Sequence, residues 1–414
     1  TRSERNYVSF REAVLNPLPK DGGLYIPEVL SPISYSFITY LKNCSNYEQC
    51  VFILNWLLEN EFSENELEIL AGSISKIPIK THSLNDKIDI IELWHGPSGS
   101  FKDFGAQFLS SLYKLLDFGK SPLLIVVTTG DTGAAIAEAF KNNNLIDVWI
   151  LYPKSQISKY QENQLYVDAK NIHVVAVEGD FSLCQAIRNA CFADNDINDR
   201  YCLLSANSIN IARIIAQVIY HLSIYLSFDK DPAALYNIPS GNLGNFCSAI
   251  IANQLYSAVD KFIVANNSNA AFYNYYYESN EKYVKTKNTL ASAMDIIKPS
   301  NLERIEFMLG STWNIMRNDI VAKVSGNKQI LKTINNVHRN YNYLSDPHTS
   351  SALLHALTKK TNNKHYVIST ANPNKFPELI PNVSISNNKQ ELKSKTNKLR
   401  IINKFESLKE MIVV

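Results

Sequence analysis

A single lysine in a glycine-marked stretch is the residue of this sequence best suited to covalent chemistry. Residues 96–108 read GPSGSFKDFGAQF, and Lys102 lies between Phe101 and Phe104. A lysine is usually solvated, because burying its unpaired charge costs free energy. The apolar pattern of an amphipathic helix begins at Phe104, so the ordinary interpretation is a solvated lysine in the first turn of a helix. The alternative is a desolvated lysine whose amine forms a Schiff base.

Two further glycine-marked turns follow predicted strands and open predicted helices. The first reads TTGDTGAAIAEAF and contains Thr128, Thr129, Gly130, Asp131 and Thr132, and the second reads PSGNLGNF and contains Ser240, Gly241, Asn242, Leu243, Gly244 and Asn245. Glycines let backbone amides crowd together, and a helix start directs free N–H groups outward, so both turns suit an anion. The first turn is not a Walker loop and lacks the GxGxxG pattern. Either turn alone is better explained as an ordinary strand-to-helix connection, but two in one chain favour anion binding.

Other polar residues also follow predicted strands. Thr370 ends one strand, Lys154 follows another, and Arg213 lies in the second turn of a helix that begins near Asn207 and Ser208. Ligands of open α/β sheets bind at the carboxyl ends of the strands, and a guanidinium is suited to bidentate phosphate contact. Taken one at a time, a surface or capping role is the default for each of these residues.

The elements that must position these residues alternate between strands and helices. Predicted strands cover 88–94, 123–129, 147–153, 172–179, 234–240, 261–267 and 365–371, and predicted helices lie near 104–117, 133–142, 159–169, 182–193, 208–226 and 243–257. Several strands are apolar on both faces, which is typical of covered parallel sheets. The pattern therefore predicts an α/β fold with parallel sheets and helices on both faces.

The organisation predicted along the chain has four parts. We expect an N-terminal helical subdomain over 1–80 and a smaller α/β domain over 81–230 that carries Lys102 and the TTGDTG turn. A larger α/β domain with the SGNLG turn follows over 231–385, in which 270–345 reads as helical or irregular. A polar tail over 386–414 is rich in Asn, Lys and Ser, and a solvated end is its expected structure.

Bulk composition excludes several function classes. The 414 residues carry a formal net charge of +2, which gives no electrostatic case for nucleic acid or an anionic membrane. No apolar run approaches the roughly 20 residues of a membrane span. The six cysteines show no CxxC pair and no His/Cys metal spacing, so we expect reduced thiols, no metal site and a cytoplasmic location.

Read together and in order, these segments resemble the threonine synthase family in its bacterial and fungal form. The matching stretches run from about residue 7 to 377: YVSFREAVLN, GGLYIP, HGPSGSFKDFGAQF, TTGDTGAAIAEAF, ILYPKSQIS, SANSINIARIIAQ, IPSGNLGNF, ASAMDI, SDPHTSSAL and TANPNKF. Each stretch alone is weak, and their combination is specific. The resemblance implies pyridoxal 5′-phosphate (PLP) as cofactor and the tryptophan-synthase-β type of fold, fold type II.

The resemblance also assigns roles at the cofactor. It implies that Lys102 bonds covalently to PLP, in an apolar setting that lowers the pKa of its amine. The phosphate of the cofactor would rest on the turn from Ser240 through Asn245, and Thr370 would place a hydroxyl against the pyridine nitrogen. Asp131 would lie near the 3′-oxygen of the cofactor.

For the substrate, the resemblance implies O-phospho-L-homoserine, converted with water to L-threonine and phosphate by γ-elimination and β-addition. The turn from Thr128 to Gly133 would receive the substrate carboxylate. The substrate phosphate would meet Asn207, Ser208 and Arg213, with Lys154 a weaker candidate.

Several positions depart from the usual pattern of the family. Asn245 stands where many members have Asp, Asn372 where they have His, Ser98 where Thr is common, Gln156 where Lys is frequent, and Leu243 where Phe is frequent. The first two could tune the surroundings of the cofactor, and Gln156 weakens the case for a second basic phosphate contact. None of the departures removes Lys102 or the anion-binding turns, so activity is expected.

Two other functions stay open at this point. A related PLP phospho-lyase would release 2-oxobutyrate and ammonia instead of threonine, and product analysis separates the two enzymes. A non-catalytic small-molecule-binding relative would purify colourless and free of cofactor. The sequence is compatible with a monomer or a homodimer.

Overall fold

The computed structural model describes residues 7–19, 21–28, 30–58, 61–227, 234–278, 287–310, 319–359, 361–379 and 400–413. Within these ranges the α-helices are α1 (Phe10–Leu15), α2 (Tyr35–Leu41), α3 (Asn46–Leu58), α4 (Glu64–Ile74), α5 (Lys102–Tyr113), α6 (Asp131–Phe140), α7 (Lys159–Leu165), α8 (Phe181–Ala193), α9 (Asn195–Arg200), α10 (Ile211–Ser227), α11 (Gly244–Leu255), α12 (Ala271–Glu278), α13 (Leu302–Leu309), α14 (Asn327–Tyr341), α15 (Pro347–Thr358) and α16 (Phe405–Val413). The strands are β1 (Lys80–Asn85), β2 (Ile88–Glu92), β3 (Ser121–Val127), β4 (Asp147–Pro153), β5 (Ile172–Val177), β6 (Tyr201–Ser205), β7 (Leu235–Pro239), β8 (Lys261–Asn266), β9 (Ile320–Val324), β10 (His365–Ser369) and β11 (Arg400–Ile402).

The strands form two sheets. The six-stranded sheet has the order β1-β2-β10-β7-β8-β9, in which β1 runs antiparallel to β2 and all other neighbours are parallel. The five-stranded sheet has the order β11-β5-β4-β3-β6 and is parallel throughout. The predicted α/β class with two parallel-sheet units after a helical N-terminal part is therefore confirmed.

Alternating burial explains why β3 is a strand with helices on both of its faces. Leu124 and Val126 lie in the large core that also contains residues of α5 and α10. Ile125 and Val127 lie in a second core, together with Cys184 of α8. Successive side chains of a strand point to opposite faces, so this double burial requires apolar residues at every position.

Helix α10 lies in the core that both sheets share. All of its residues except Ser223 and Ser227 are buried. Ile214 of α10 belongs to the same apolar cluster as Ile150 of β4 and Ile238 of β7. The helix therefore joins the two sheets through one continuous core, which keeps the residues between them in place.

Strand order explains how distant segments meet. β2, β10 and β7 are neighbours in the six-stranded sheet, so the segments that follow them, 93–101, 370–372 and 240–243, emerge side by side. β3 and β6 are neighbours in the other sheet, which brings together 128–130 and 206–210. These are the carboxyl-terminal edges at which open α/β sheets bind ligands.

The strand pairing departs from the predicted boundaries in two places. β2 lies within the predicted smaller domain 81–230, but it pairs with β10 and so belongs to the six-stranded sheet. Residues 400–413, predicted as polar tail, form β11 and α16, which complete the five-stranded sheet. The predicted tail at 386–399 lies outside the described residues. Both errors concern pairing between segments far apart in sequence, which local patterns do not report.

Candidate active site

Lys102 is the first residue of α5, and its amine lies beside the start of α6. Its Nζ is 3.5 Å from Oδ2 of Asp131 and 4.9 Å from the centroid of the Phe101 ring. Burial lowers the pKa of Lys102; Asp131 opposes this shift, whereas the positive charges of Lys375 and Arg213 add to it. A lysine held in this way has an increased fraction of neutral amine, the form that a nucleophile or a base needs.

The turn before Lys102 is fixed from two sides. Oδ2 of Asp103 accepts a hydrogen bond from the backbone N–H of Ser98 at 3.0 Å. A Cβ on Gly96 would lie 2.5 Å from this oxygen, so only glycine fits there. The turn also bonds to the segment after β10, because Phe101 N–H donates to the Thr370 carbonyl at 2.9 Å. This pairing places Thr370 next to the start of α5.

The second turn, 128–133, is closed by its own threonine. Oγ1 of Thr128 accepts from the N–H groups of Gly130, at 3.0 Å, and Gly133, at 2.9 Å. Gly130 has φ +123°, a backbone conformation that favours glycine, and a Cβ there would meet Gln161 at 2.8 Å. Thr128 therefore shapes the turn with its hydroxyl, whereas Thr129 and Thr132 are half-buried at the same helix start.

Asp131 is the charged centre of that turn. Its Oδ1 lies 3.1 Å from Nζ of Lys375 and 3.4 Å from Nε2 of Gln161, while its Oδ2 faces Lys102. Burial alone would raise the pKa of Asp131, but Lys375 and Lys102 more than offset burial and hold this pKa below its usual range. The site thus contains one buried carboxylate between two lysines.

The third turn, 240–245, presents backbone to the site. Leu243, the residue before α11, has φ +58°, which lets the chain turn sharply into the helix. A Cβ on Gly241 would lie 2.5 Å from Cα of Met294, so a glycine is required where this turn passes the 292–294 segment. The first amides of a helix have no partner within that helix and bind anions well. The hydroxyl of Ser240 is buried and has no hydrogen-bond partner among the described residues.

Side chains of the same turn hold it to its surroundings. Asn242 donates to Oγ of Ser208 at 2.5 Å and accepts from the Ser300 N–H at 2.6 Å. Oδ1 of Asn245 accepts from the Tyr220 hydroxyl at 2.7 Å and lies 3.0 Å from Nε2 of His221. In this structure Asn242 and Asn245 therefore orient the turn through their side-chain amides.

The basic residues predicted for the substrate phosphate are placed very differently. Arg213 is buried, and its Nη1 donates to the Lys102 carbonyl at 3.3 Å. Burial lowers the pKa of Arg213 to about 10, so the group keeps its charge at neutral pH. Asn207 has a buried Oδ1 with no partner among the described residues. Lys154, in contrast, is half-exposed and pairs with Glu178 at 3.6 Å.

Two buried cations at the site were missed by sequence reasoning. Lys375 is 1% exposed and contacts Asp131, Ser98 and Gln164. Arg304, also 1% exposed, donates to the carbonyls of Ser208, at 2.8 Å, and Ile209, at 2.6 Å. The sequence around each of the two residues shows no pattern that indicates a binding site. The only signal for Lys375 was its place six residues after a strand end that already carried Thr370.

The arrangement fits a cofactor that joins an aldehyde to a phosphate. Lys102 offers a half-buried amine of lowered pKa. The start of α11 offers amides at a turn in which Gly241 has no room for a side chain, beside the unpartnered hydroxyl of Ser240.

Among the described residues no group of three His, Cys, Asp or Glu side chains could hold a metal ion. Nor does any helix in the described ranges have the length and apolarity to span a membrane.

Comparisons with known proteins agree with this chemistry. Residues 79–368 match the family model of pyridoxal-phosphate dependent enzymes, and residues 1–73 match the threonine synthase N-terminus. Threonine synthase of Haemophilus influenzae is 31% identical over 382 residues, which cover 91% of this chain and 88% of that protein.

Solved structures give the same result. The crystal structure of Escherichia coli threonine synthase aligns with a TM-score of 0.88 and 27% identity, covering 98% of this chain and 96% of that one. The PLP-bound threonine synthase of Brucella melitensis aligns with a TM-score of 0.88 and 25% identity, with the same two coverages. The chain belongs to the threonine synthase family of pyridoxal-phosphate-dependent enzymes.

Proposed function

We propose that this chain converts O-phospho-L-homoserine and water into L-threonine and phosphate, with Lys102 as the residue that bonds to PLP. The observation that carries the assignment is the amine of Lys102, on a side chain only 18% exposed, which lies 3.5 Å from the Asp131 carboxylate. When bound, the cofactor supplies an electron sink that stabilises negative charge on the carbons of the substrate.

The residues that would hold the cofactor come from three turns. Backbone amides from Gly241 to Asn245 would bind its phosphate, with the hydroxyl of Ser240 as an added donor. Thr370 would offer a hydroxyl to the pyridine nitrogen. Asp131 would face the 3′-oxygen side, which agrees with its position opposite Lys102.

Lys102 would also move protons of the substrate. Its Nζ, whose pKa is lowered by burial, would take the proton from Cα of the substrate and later return it. Asp131 stays ionised, so it would steady the resulting ammonium without competing for the proton.

The two anionic ends of the substrate would occupy different helix starts. The α6 start, with Thr129, Gly130 and Thr132, suits the carboxylate, and Thr128 would support this turn through its bonds to Gly130 and Gly133. Asn207, Ser208 and the buried Arg213 would meet the phosphate. Lys154 is a poor candidate, because its ammonium group pairs with Glu178 at the surface.

Water must be kept from the site until the phosphate has left. The buried residues of α10 and of the 128–133 and 240–245 turns would help to exclude it. We therefore propose that the two α/β units, one around each sheet, close on the substrate between them.

Borohydride reduction followed by peptide mapping tests the assignment. Reduction of the purified protein should fix the cofactor on the peptide that contains Lys102, and incubation of the unreduced protein with O-phosphohomoserine should release threonine and phosphate. A label on another lysine would overturn the role of Lys102. Release of 2-oxobutyrate and ammonia would favour the phospho-lyase, and a colourless protein that takes up no PLP would favour a binding protein.

We further propose a cytoplasmic location and a monomeric or homodimeric state. All six cysteines are free thiols, as a reducing compartment requires. Sedimentation equilibrium at several concentrations would measure the oligomeric state directly.

A further inference from the structure

Lys375 is a charged group that the proposed chemistry does not use. Its Nζ lies 3.1 Å from Oδ1 of Asp131 and donates to the Ser98 carbonyl at 2.8 Å and to Oε1 of Gln164 at 2.7 Å. An ammonium group has three N–H donors, and these three acceptors match them. The side chain is 1% exposed, so the charge and position of this ammonium are set by the protein and not by solvent.

The contacts of Lys375 connect the two sheets. Lys375 ends the turn Pro373–Lys375 after β10 of the six-stranded sheet, whereas Asp131 opens α6 after β3 of the five-stranded sheet. Gln164 belongs to α7, which follows β4 of the same five-stranded sheet. A buried ammonium is expensive unless it is paired, so the Lys375–Asp131 pair must form whenever these parts pack together.

We infer that Lys375 is a positioning residue that keeps Asp131 ionised and oriented and, through it, sets the proton affinity of Lys102. The inference rests on the proposed role of Lys102. Lys375 occupies Oδ1 of Asp131 and leaves Oδ2 for Lys102, so each lysine receives one carboxylate oxygen. Without Lys375 the whole carboxylate charge would act on Lys102 and favour its ammonium form, which can neither attack a carbonyl nor accept a proton.

The other charges around the pair are few. Lys102 is faced by Asp131 from α6, by Lys375 from the turn after β10 and by Arg213 from α10. Asp131 is faced by the two lysines and also interacts with His348 of α15. Asp103, next to Lys102 in α5, is a second carboxylate near the pair; burial raises its pKa to about 6, and Lys375 opposes this shift. Arg213 keeps its charge over the working pH range. Removal of Lys375 is therefore the change that lets the negative charge of Asp131 act more strongly on Lys102.

The pH profile of the holoenzyme tests this inference. In Lys375→Met, the acid-side midpoint of kcat/KM and the midpoint of any pH-dependent change in the visible cofactor band should rise by about one pH unit or more. Lys375→Arg keeps the charge and should stay within about half a unit of the original midpoint. Gln164→Leu removes a neutral acceptor of Lys375 and should also leave the midpoint in place. An unmoved midpoint in Lys375→Met, or an equal rise in Gln164→Leu, would overturn the inference.

A double-mutant cycle tests whether the effect passes through Asp131. If Lys375 acts by fixing this carboxylate, Lys375→Met should shift the midpoint less than half as far in an Asp131→Asn background as in the original protein. Equal shifts in both backgrounds would show direct charge repulsion only and would contradict the positioning role. If Lys375→Met alone fails to fold, the double variant is compared with Asp131→Asn, and a midpoint difference of about one pH unit or more between these two would contradict the positioning role.

Borohydride mapping of the original protein separates this inference from the proposed function. Loss of the label from Lys102 would reject the proposed function itself. A label on Lys102, together with an unmoved midpoint in Lys375→Met, would reject only the role of Lys375.

Discussion

Two buried carboxylates, Asp103 and Asp131, adjoin Lys102 and have opposite acid–base behaviour. Asp103 follows Lys102 in α5, and its Oδ2 accepts a backbone N–H, while its Oδ1 has no partner among the described residues. Burial raises its pKa to about 6. Asp131 is equally buried, but Lys375 and Lys102 flank it and hold its pKa below the usual range. Burial alone therefore does not set the charge of a carboxylate here; ammonium groups within ion-pair distance do.

The largest effect is expected when the lysine beside both carboxylates is removed. Lys102→Ala should lower kcat by at least about 10³-fold, because the nucleophile and proton carrier are lost together. The visible absorbance of the bound cofactor should disappear as well. Retention of both turnover and absorbance would end the assignment.

Asp131→Asn removes the carboxylate that two lysines share. Lys375 would lose its counterion in a buried site, so the free energy of unfolding should fall by about 3 kcal/mol or more. Urea denaturation with and without cofactor measures this loss. Asp117→Asn, at an exposed position, is the control and should change stability by less than about 0.5 kcal/mol. Equal stability of the two variants would show that Asp131 is not needed to balance Lys375.

Asp103→Asn should stabilise the protein, in contrast to Asp131→Asn, and the size of this stabilisation should depend on pH. The folded-state pKa of Asp103, about 6, lies above that of an unfolded aspartate, so protonated Asp103 favours folding. This contribution is complete below about pH 4 and is lost as pH rises through 6. The asparagine variant should therefore gain up to about 3 kcal/mol over the original protein at pH 8, and little at pH 4. Urea denaturation at several pH values measures this gain. A stability difference between the two proteins that does not change with pH would contradict the raised pKa of Asp103.

The smallest effect is expected at the exposed ion pair of Lys154 and Glu178. Their side chains are 45% and 56% exposed, so Lys154→Ala should change stability by less than about 0.5 kcal/mol. Its KM for the phosphorylated substrate should change less than about twofold. Arg213→Ala, at a buried position, should raise that KM by about tenfold or more. If the two variants had equal KM values, one of the two basic residues would have been placed wrongly.

Local patterns predicted the parts of the site that lie at strand and helix ends. Lys102, the 128–133 turn and the 240–245 turn were found because glycines and short polar residues follow apolar strands there. Seven strands and six helices of the α/β part were predicted near their observed positions for the same reason. The roles of these residues toward cofactor and substrate stay predictions.

Features that depend on long-range pairing could not be read from the sequence. β9 lies in a stretch predicted as helical or irregular, and β11 lies in the predicted tail. The position of Lys375 shortly after a strand end was not enough to predict its burial, because an isolated lysine in a polar turn is normally solvated. Its burial follows only from the meeting of β10 with the start of α6, two segments more than two hundred residues apart.

The position of β10 in its sheet constrains when the six-stranded sheet can form during synthesis. This strand lies between β2 and β7, yet among the eleven strands within the described residues it is the tenth to leave the ribosome. Until residues 365–375 have been synthesised, the β2 and β7 edges that should enclose it are unpaired and open to wrong partners. A nascent chain can therefore present Lys102 early in synthesis but assemble the pocket around it only near the end. Premature termination before that strand would leave an aggregation-prone fragment and not a weaker enzyme.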